Sequence, residues 1–488
     1  MLVLKVLGML GMVGAVLAAQ PADLRRAVTS HVETHQTAIV AELLDLLAIP
    51  NVAADRANVR RNADHLRGLL ARRGLKAEVL ETQGNPLVYG ALDVPGATRT
   101  VLFYCHYDGQ PVDPSKWNQP DPFTPVVRGE GREARVFARS AADDKSPIVG
   151  LMIALDALKA NGLAPTSNVR VILDGEEEAS SPSLVPAIAR YRDKLRADVM
   201  VILDGPAHSS GRPTLVYGAR GIATLDLTVY GPRAGVHSGN YGNWMPNPAM
   251  RLAALLASMK DDDGRVTVAG YYDAVAPLTA EERAMLDAVP EDGARMLQTF
   301  GVAAPERAFP RLQDALQQPT LNVRGLASSF VGAGARTIVP DRATAALDLR
   351  LVKETPAPDL IAKLRAHIEK QGYHLVDAEP DAATRAQHGK LARLTPTGPV
   401  MNAFRTPASD PQARAILASM TRTFGTPPVQ LRLLGGSVPI APFIEALGFP
   451  ALLVPIVNFD NNQHEENENL RLGAFFDGIV TIAAVLRM

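Results

Sequence analysis

Hydrophobic positions along the chain change period several times, and each change marks an element. From Ile39 to Leu47 apolar residues recur at helical spacing, and a second helical stretch runs from Asn51 to Ala71, closed by Gly74. "TVLFYCHYD" (100–108) is a continuous apolar run, the pattern of a strand buried on both faces. A helix is predicted over 147–161, with Ser146 as its cap, Pro147 in its first turn and Gly162 at its end. "NVRVILDG" (168–175) and "ADVMVILDG" (197–205) are two more buried strands with a helical stretch between them. Strands alternating with helices predict a mostly parallel sheet sandwiched by helices.

The pattern shifts near Tyr217. "IATLDLTVYG" (222–231) alternates, which predicts a strand with one buried face. A helix over about 247–259, a loop-rich polar insertion, strands 321–326 and 343–352, a helix over 357–371 and a short strand follow. That order is the ferredoxin-like unit. After about residue 395 the α/β character returns, with helix 411–424, buried strand "PALLVPIV" (450–457) and a last helix from 473. The expected organisation is an α/β catalytic domain (20–216 and 395–488) interrupted by an inserted α+β domain (217–394).

Composition narrows the function. With 488 residues the chain is too long for one ordinary domain, and its net charge of −1 gives no sign of a nucleic-acid or anionic-membrane partner. The one cysteine, Cys105, excludes an internal disulfide and a thiolate metal site. Residues 1–19 place Lys5 before a short apolar run (Val6 to Leu17) and Ala18-Ala19, the layout of a secretory signal peptide. From that segment the protein is expected to be exported, periplasmic or secreted, without a membrane anchor.

Chemistry collects where buried strands end. His106 and Asp108 follow the strand at 100–105, "SAADDK" (140–145) precedes a helix, and Glu177 and Glu178 follow the strand at 168–174. Asp204 ends the strand at 197–203, and His464 stands in "DNNQHEENENL" after the strand at 450–457. Open α/β sheets bind ligands outside the carboxyl ends of their strands. Mixed imidazole and carboxylate donors without thiolate suit zinc, manganese or cobalt. Two histidines and three carboxylates exceed the needs of one tetrahedral ion that keeps a water, and they match two divalent ions sharing a bridging carboxylate. A further carboxylate beside the water can serve as general base. The remaining histidines, such as His31 and His208, are read as solvated or structural.

The ordered set "YCHYDGQPVDPSKW", "SAADDKSPIVG", "LDGEEEASSPS", "YGARGI", "GVHSGNYG", "GAGARTIVP", "LDLRLV", "LGGSVPI" and "DNNQHEENENLR" resembles the di-zinc exopeptidase family of cytosolic non-specific dipeptidase, carnosinase, aminoacylase and carboxypeptidase G, in its dipeptidase-like branch. The resemblance implies that His106 and Asp204 bind one metal, Glu178 and His464 the other, and that Asp143 bridges them. It implies two divalent ions, Zn2+ first and Mn2+ or Co2+ next. Glu177 is implied as general base, Asp108 as orienter of His106, and His237 as an oxyanion stabiliser reaching a partner subunit's site. Thr337, Arg350 and Ser437 match substrate-binding positions, and the inserted domain resembles a lid that forms a homodimer. Arg350 also lies on the non-core face of its strand, free to meet a substrate carboxylate.

The expected activity is hydrolysis of short peptides with a free C-terminus, with removal of an acyl group from N-acyl amino acids as the alternative. Where family members usually carry glycine, this chain has Ala138, Ser140, Ser146 and Ser180. A serine there is strained wherever the backbone needs positive φ.

Overall fold

The computed structural model describes residues 21–488; the expected leader at 1–19 lies outside the described residues. Two sheets organise the chain. The larger has eight strands, in the spatial order Lys76–Leu80, Leu87–Leu92, Asn168–Asp174, Thr100–His106, Val199–Ile202, Ala451–Leu453, Thr214–Val216 and Val429–Leu431. Its centre is parallel: Thr100–His106 runs between Asn168–Asp174 and Val199–Ile202, and Ala451–Leu453 continues the set. Those central strands are the apolar runs, because helices cover both of their faces. Antiparallel pairing is confined to the flanks. The flanking strands Lys76–Leu80 and Leu87–Leu92 are short, the first half-polar and the second apolar, and their sequence alone did not mark them as strands.

Helices Pro21–Leu47, Lys145–Ala160 and Leu472–Leu486 pack on one face of this sheet around Leu43, Leu47, Ile148, Met152, Phe475 and Ile479. The first of these is 27 residues long, so the periodic stretch at 39–47 is only its last part. The helix predicted to start at Pro147 starts at Lys145, with Asp144 rather than Ser146 at its N-cap. Lys145 drives the difference. Its side chain is buried, and its Nζ donates to the carbonyls of Leu46 (2.9 Å) and Ile49 (2.7 Å), closing the end of the first helix. Gly162, with φ 67°, follows the C-cap Asn161 as expected.

The second sheet has the order Thr320–Ala327, Arg342–Leu351, Gly221–Tyr230, Leu391–Pro396 and His374–Leu375. Helices Pro248–Ala257 and Ala357–Lys370 cover one face through Leu252, Leu255, Leu360 and Leu364. This is the ferredoxin-like arrangement, with one adjustment. The fourth full strand is Leu391–Pro396, while the short strand after Gly372 pairs parallel at its outer edge. The loop-rich insertion contains helices Ala280–Asp287 and Gly293–Phe300, the first started by a capping box between Thr279 and Glu282. Among the described residues no helix is long and apolar enough to cross a membrane.

Candidate metal centre

The parallel centre of the large sheet delivers its polar residues to one place. His106 is the last residue of its strand, Asp204 lies two residues past Ile202, and Glu177 and Glu178 sit just beyond Asp174. Asp143 precedes the helix Lys145–Ala160, and His464 lies between Ala451–Leu453 and the short strand Asn469–Arg471. His106, Asp143 and Asp204 present donor atoms within 4.8 Å of one another, and so do Asp143, Glu178 and His464. Asp143 belongs to both groups. Its Oδ1 lies 2.9 Å from His106 Nε2, and its Oδ2 lies 3.1 Å from His464 Nε2. His464 Nε2 is also 3.5 Å from Glu178 Oε2.

The donor chemistry fits two divalent cations. Asp143 Oδ2 is buried and, apart from the 3.1 Å contact with His464 Nε2, which is not aligned as a hydrogen bond, meets no donor, a costly state for a carboxylate oxygen that a cation would relieve. The charges tell the same story. Burial, then repulsion from Asp143, pushes Glu178 up to about 7 and Asp204 up to about 6. Burial also raises Glu177 well above the carboxylate range; the charge of His106 opposes this, and Asp204, Asp143 and Glu178 add to it. Contact with Asp143 holds His464 up at about 9 against the effect of burial. For Asp143, burial is outweighed by the two imidazoles, which keep its carboxyl below its ordinary value. A cation between the triads removes the repulsion that produces these shifts.

The four acids of the run after Val171-Ile172-Leu173 are thus divided among three tasks. Asp174 stays in the core, accepting from Ser181 Oγ (2.6 Å), Tyr104 Oη (3.2 Å) and the amide of Glu176 (3.0 Å). Glu176 turns away to accept the amide of Asn85 at 2.6 Å. Glu177 and Glu178 face the cluster. Their amides both donate to Asp108, at 3.0 Å to Oδ1 and 3.0 Å to Oδ2. Asp108 also stands against His106, whose Nδ1 is 3.2 Å from the Asp108 carbonyl oxygen and 3.4 Å from its Oδ1. One carboxylate therefore fixes both the imidazole and the acidic loop.

Several contributors carried no sequence signal of their own. Glu468 is fully buried and accepts from Arg139 Nη1 and from the amides of Ser140, Ala142 and Asp143, each at 2.9 Å. Gln110 donates to Glu178 Oε2 at 2.7 Å. Asn51 donates to Tyr107 O at 2.8 Å and to Ser140 Oγ at 2.9 Å. The H-x-x-x-E spacing of His464 and Glu468 was the one available hint.

Two of the four positions without the usual glycine do require left-handed backbone. Ser140 has φ 62° and Ser180 φ 71°. Ala138 and Ser146 do not adopt positive φ.

On the second sheet, Arg350 Nη1 donates to Ser437 Oγ at 3.0 Å, joining two of the expected substrate positions. Thr337 and His237 lie together, since the strand pair Val236–His237 with Ile338–Val339 sets them side by side, and both are exposed. His237 Nδ1 accepts from the amide of Gly239 at 3.0 Å. Among the described residues, neither makes a hydrogen bond or ion pair with the five clustered ligand candidates.

The profile of Peptidase family M20/M25/M40 matches residues 102–488. The "Cys-Gly metallodipeptidase dug1" of Schizosaccharomyces pombe is 27% identical, over 92% of this chain and 94% of its own length. The human "Beta-Ala-His dipeptidase" is 27% identical over 82% of this chain and 76% of its own. Among solved structures, the M20 family metallo-carboxypeptidase Sso-CP2 from Sulfolobus solfataricus superposes with a TM-score of 0.74 at 28% identity, covering 92% of this chain and 98% of that one.

These likenesses correct one expectation. The near full-length match to the dug1-type metallodipeptidase overturns the reading of the chain as exported, and the periplasmic or secreted location is dropped. The physical reason is that one lysine before a short apolar run describes an apolar N-terminal helix as well as a leader.

Proposed function

We propose, from the premise that this chain belongs to peptidase family M20/M25/M40 and is a metallopeptidase, that it hydrolyses dipeptides with a free C-terminus, of the Cys-Gly kind. The observation that carries the reading is the pair of ligand triads sharing Asp143, with Glu177 beside them. His106 and Asp204 would hold one divalent ion, Glu178 and His464 the other, and Asp143 would hold both; zinc fits this donor set best, with manganese or cobalt next. When bound, two such ions acidify a water and polarise the scissile carbonyl.

The chain's own residues do the rest. Glu177 takes a proton from the attacking water and returns it to the leaving amine, a role suited to a carboxylate whose affinity for protons is raised. Asp108 keeps the imidazole of His106 turned toward the cluster and holds Glu177 and Glu178 by their amides. Arg350, seated on Ser437, receives the substrate's terminal carboxylate, and Thr337 lines the approach.

Residues 217–394 act as lid and dimerisation domain. A second copy supplies His237 to the site as oxyanion donor. Supporting this, Trp244 and Met250 near His237 are 74% and 71% exposed, and Thr320–Ala327 is an edge strand, unpaired on its outer side among the described residues, exposing Val323 and Leu326. The dipeptidase names of the relatives favour dipeptides over N-acyl amino acids. The test is turnover of Cys-Gly, β-Ala-His and an N-acetyl amino acid by chelated and metal-restored protein. Metal-dependent cleavage of a dipeptide supports the reading, and cleavage of the N-acetyl compound alone overturns it.

A further inference from the structure

We propose that Arg220 is a second determinant of specificity, forming with Arg350 a two-guanidinium clamp for the free carboxylate at the C-terminal end of the substrate; this rests on the peptidase reading above. Arg220 is anomalous among its neighbours. It is 6% exposed, its Nε is buried without an acceptor, and its one side-chain hydrogen bond among the described residues runs from Nη2 to Gln318 O at 2.8 Å. A guanidinium has five N–H donors, and a buried Nε–H left without an acceptor is costly unless a ligand completes it. Two other arginines where the two sheets meet have carboxylate partners, Arg405 with Glu354 and Arg432 with Glu282. Arg220 has none among the described residues.

Its place in the fold directs it to the same end of the substrate as Arg350. Arg220 directly precedes the strand Gly221–Tyr230, in which Ile222 pairs with Arg350, so the two arginines lie close along the same strand pair. One loop touches both. The Arg220 amide donates to Leu434 O at 3.2 Å, and Arg350 Nη1 donates to Ser437 three residues later. Burial and then the like charge of Arg350 lower Arg220 to about 10. The nearby carboxylate of Asp348 is already engaged by Asn322 Nδ2 at 2.8 Å. Two cations against one occupied anion leave a single positive charge, which one carboxylate offsets.

The backbone carrying Arg220 has no freedom to withdraw. A Cβ on Gly218 would stand 2.1 Å from Phe404 O, and one on Gly221 would stand 2.4 Å from Met401 O. Arg220 is therefore presented by two close backbone contacts, the kind of pre-organisation that lets a charge bind without reordering.

The experiment compares Cys-Gly with its C-terminal amide in the metal-loaded wild type, Arg220→Gln and Arg220→Lys, measuring kcat and KM, with equilibrium binding of both compounds by calorimetry. Arg220→Gln should raise KM for the free acid about 10- to 100-fold, the loss of one charge-assisted hydrogen-bond set, and leave the amide within about twofold. Arg220→Lys should restore part of the preference, since it keeps the charge but not the fork. An acid-to-amide ratio unchanged from wild type, or equal losses on both compounds, overturns the proposal. If Arg220→Gln does not fold, Arg220→Lys decides on the same ratio. If wild type cleaves neither compound, the peptidase reading fails, and binding of acid over amide still decides the role of Arg220.

Discussion

Glu468 grips the backbone that carries Asp143: its Oε1 accepts the Asp143 amide at 2.9 Å, and the same carboxylate takes the amides of Ser140 and Ala142 and the guanidinium of Arg139. The residue shared by both ligand triads is thus positioned by an acid four residues beyond His464. One carboxylate links the two loops on which the centre depends. Replacing Glu468 by Gln turns an acceptor into a donor facing N–H groups and strips Arg139, 3% exposed, of its partner. Breaking such a buried pair costs about 3–5 kcal/mol, and losing support behind a ligand costs about 10- to 100-fold in metal affinity. Denaturant unfolding and metal titration of Glu468→Gln measure the two effects separately. A folded variant with wild-type metal affinity would show that Asp143 is held by other means.

Glu177 touches no ligand triad as a donor but lies among their charges. Glu177→Gln keeps the shape and removes the proton carrier. Turnover should fall about 10²- to 10⁴-fold while bound metal, measured by elemental analysis, stays at the wild-type level. Loss of metal together with activity would reassign Glu177 to ligation.

Metal uptake should release protons and strengthen as pH rises. In the metal-free site His464 holds its proton up to about 9, and Glu178 holds its own up to about 7. Both must give them up to act as ligands. Below pH 7 the cation competes with both protons, and between 7 and 9 with that of His464. Affinity measured against a chelator should therefore increase from pH 6 to pH 9. A flat profile across this range would contradict the assignment of these two residues as ligands.

The strained serines should respond differently to glycine. Ser180 is the C-cap of its turn at φ 71°, held there by its backbone N–H to Glu177 O, which a glycine keeps, so Ser180→Gly should stabilise by about 1 kcal/mol. Ser140, at φ 62°, accepts from Asn51 Nδ2, so Ser140→Gly gives up a buried hydrogen bond worth about 1 kcal/mol as it relieves strain. Thermal unfolding should show a gain for the first and almost no change for the second.

The sequence by itself determined the elements whose period or composition is local. The apolar runs at 100–106, 168–174 and 199–202 announce strands covered on both faces, and the alternation of 221–230 announces a strand covered on one. Polar residues at the ends of those runs were legible as a candidate metal centre, since a parallel sheet puts its carboxyl ends on one edge. The short flanking strands and the true start of the helix at Lys145 were not, because five or six residues are too few to fix a period and a lysine's reach to Leu46 and Ile49 is a tertiary fact. The tertiary structure alone decided that Glu468 holds a backbone amide 325 positions away, that Asp108 serves both His106 and the acidic loop, and that Arg220 is buried without an acid. Hydrophobic periodicity records what each residue does to its near neighbours. A hydrogen bond that closes between distant segments leaves no trace in the chain until packing brings its ends together.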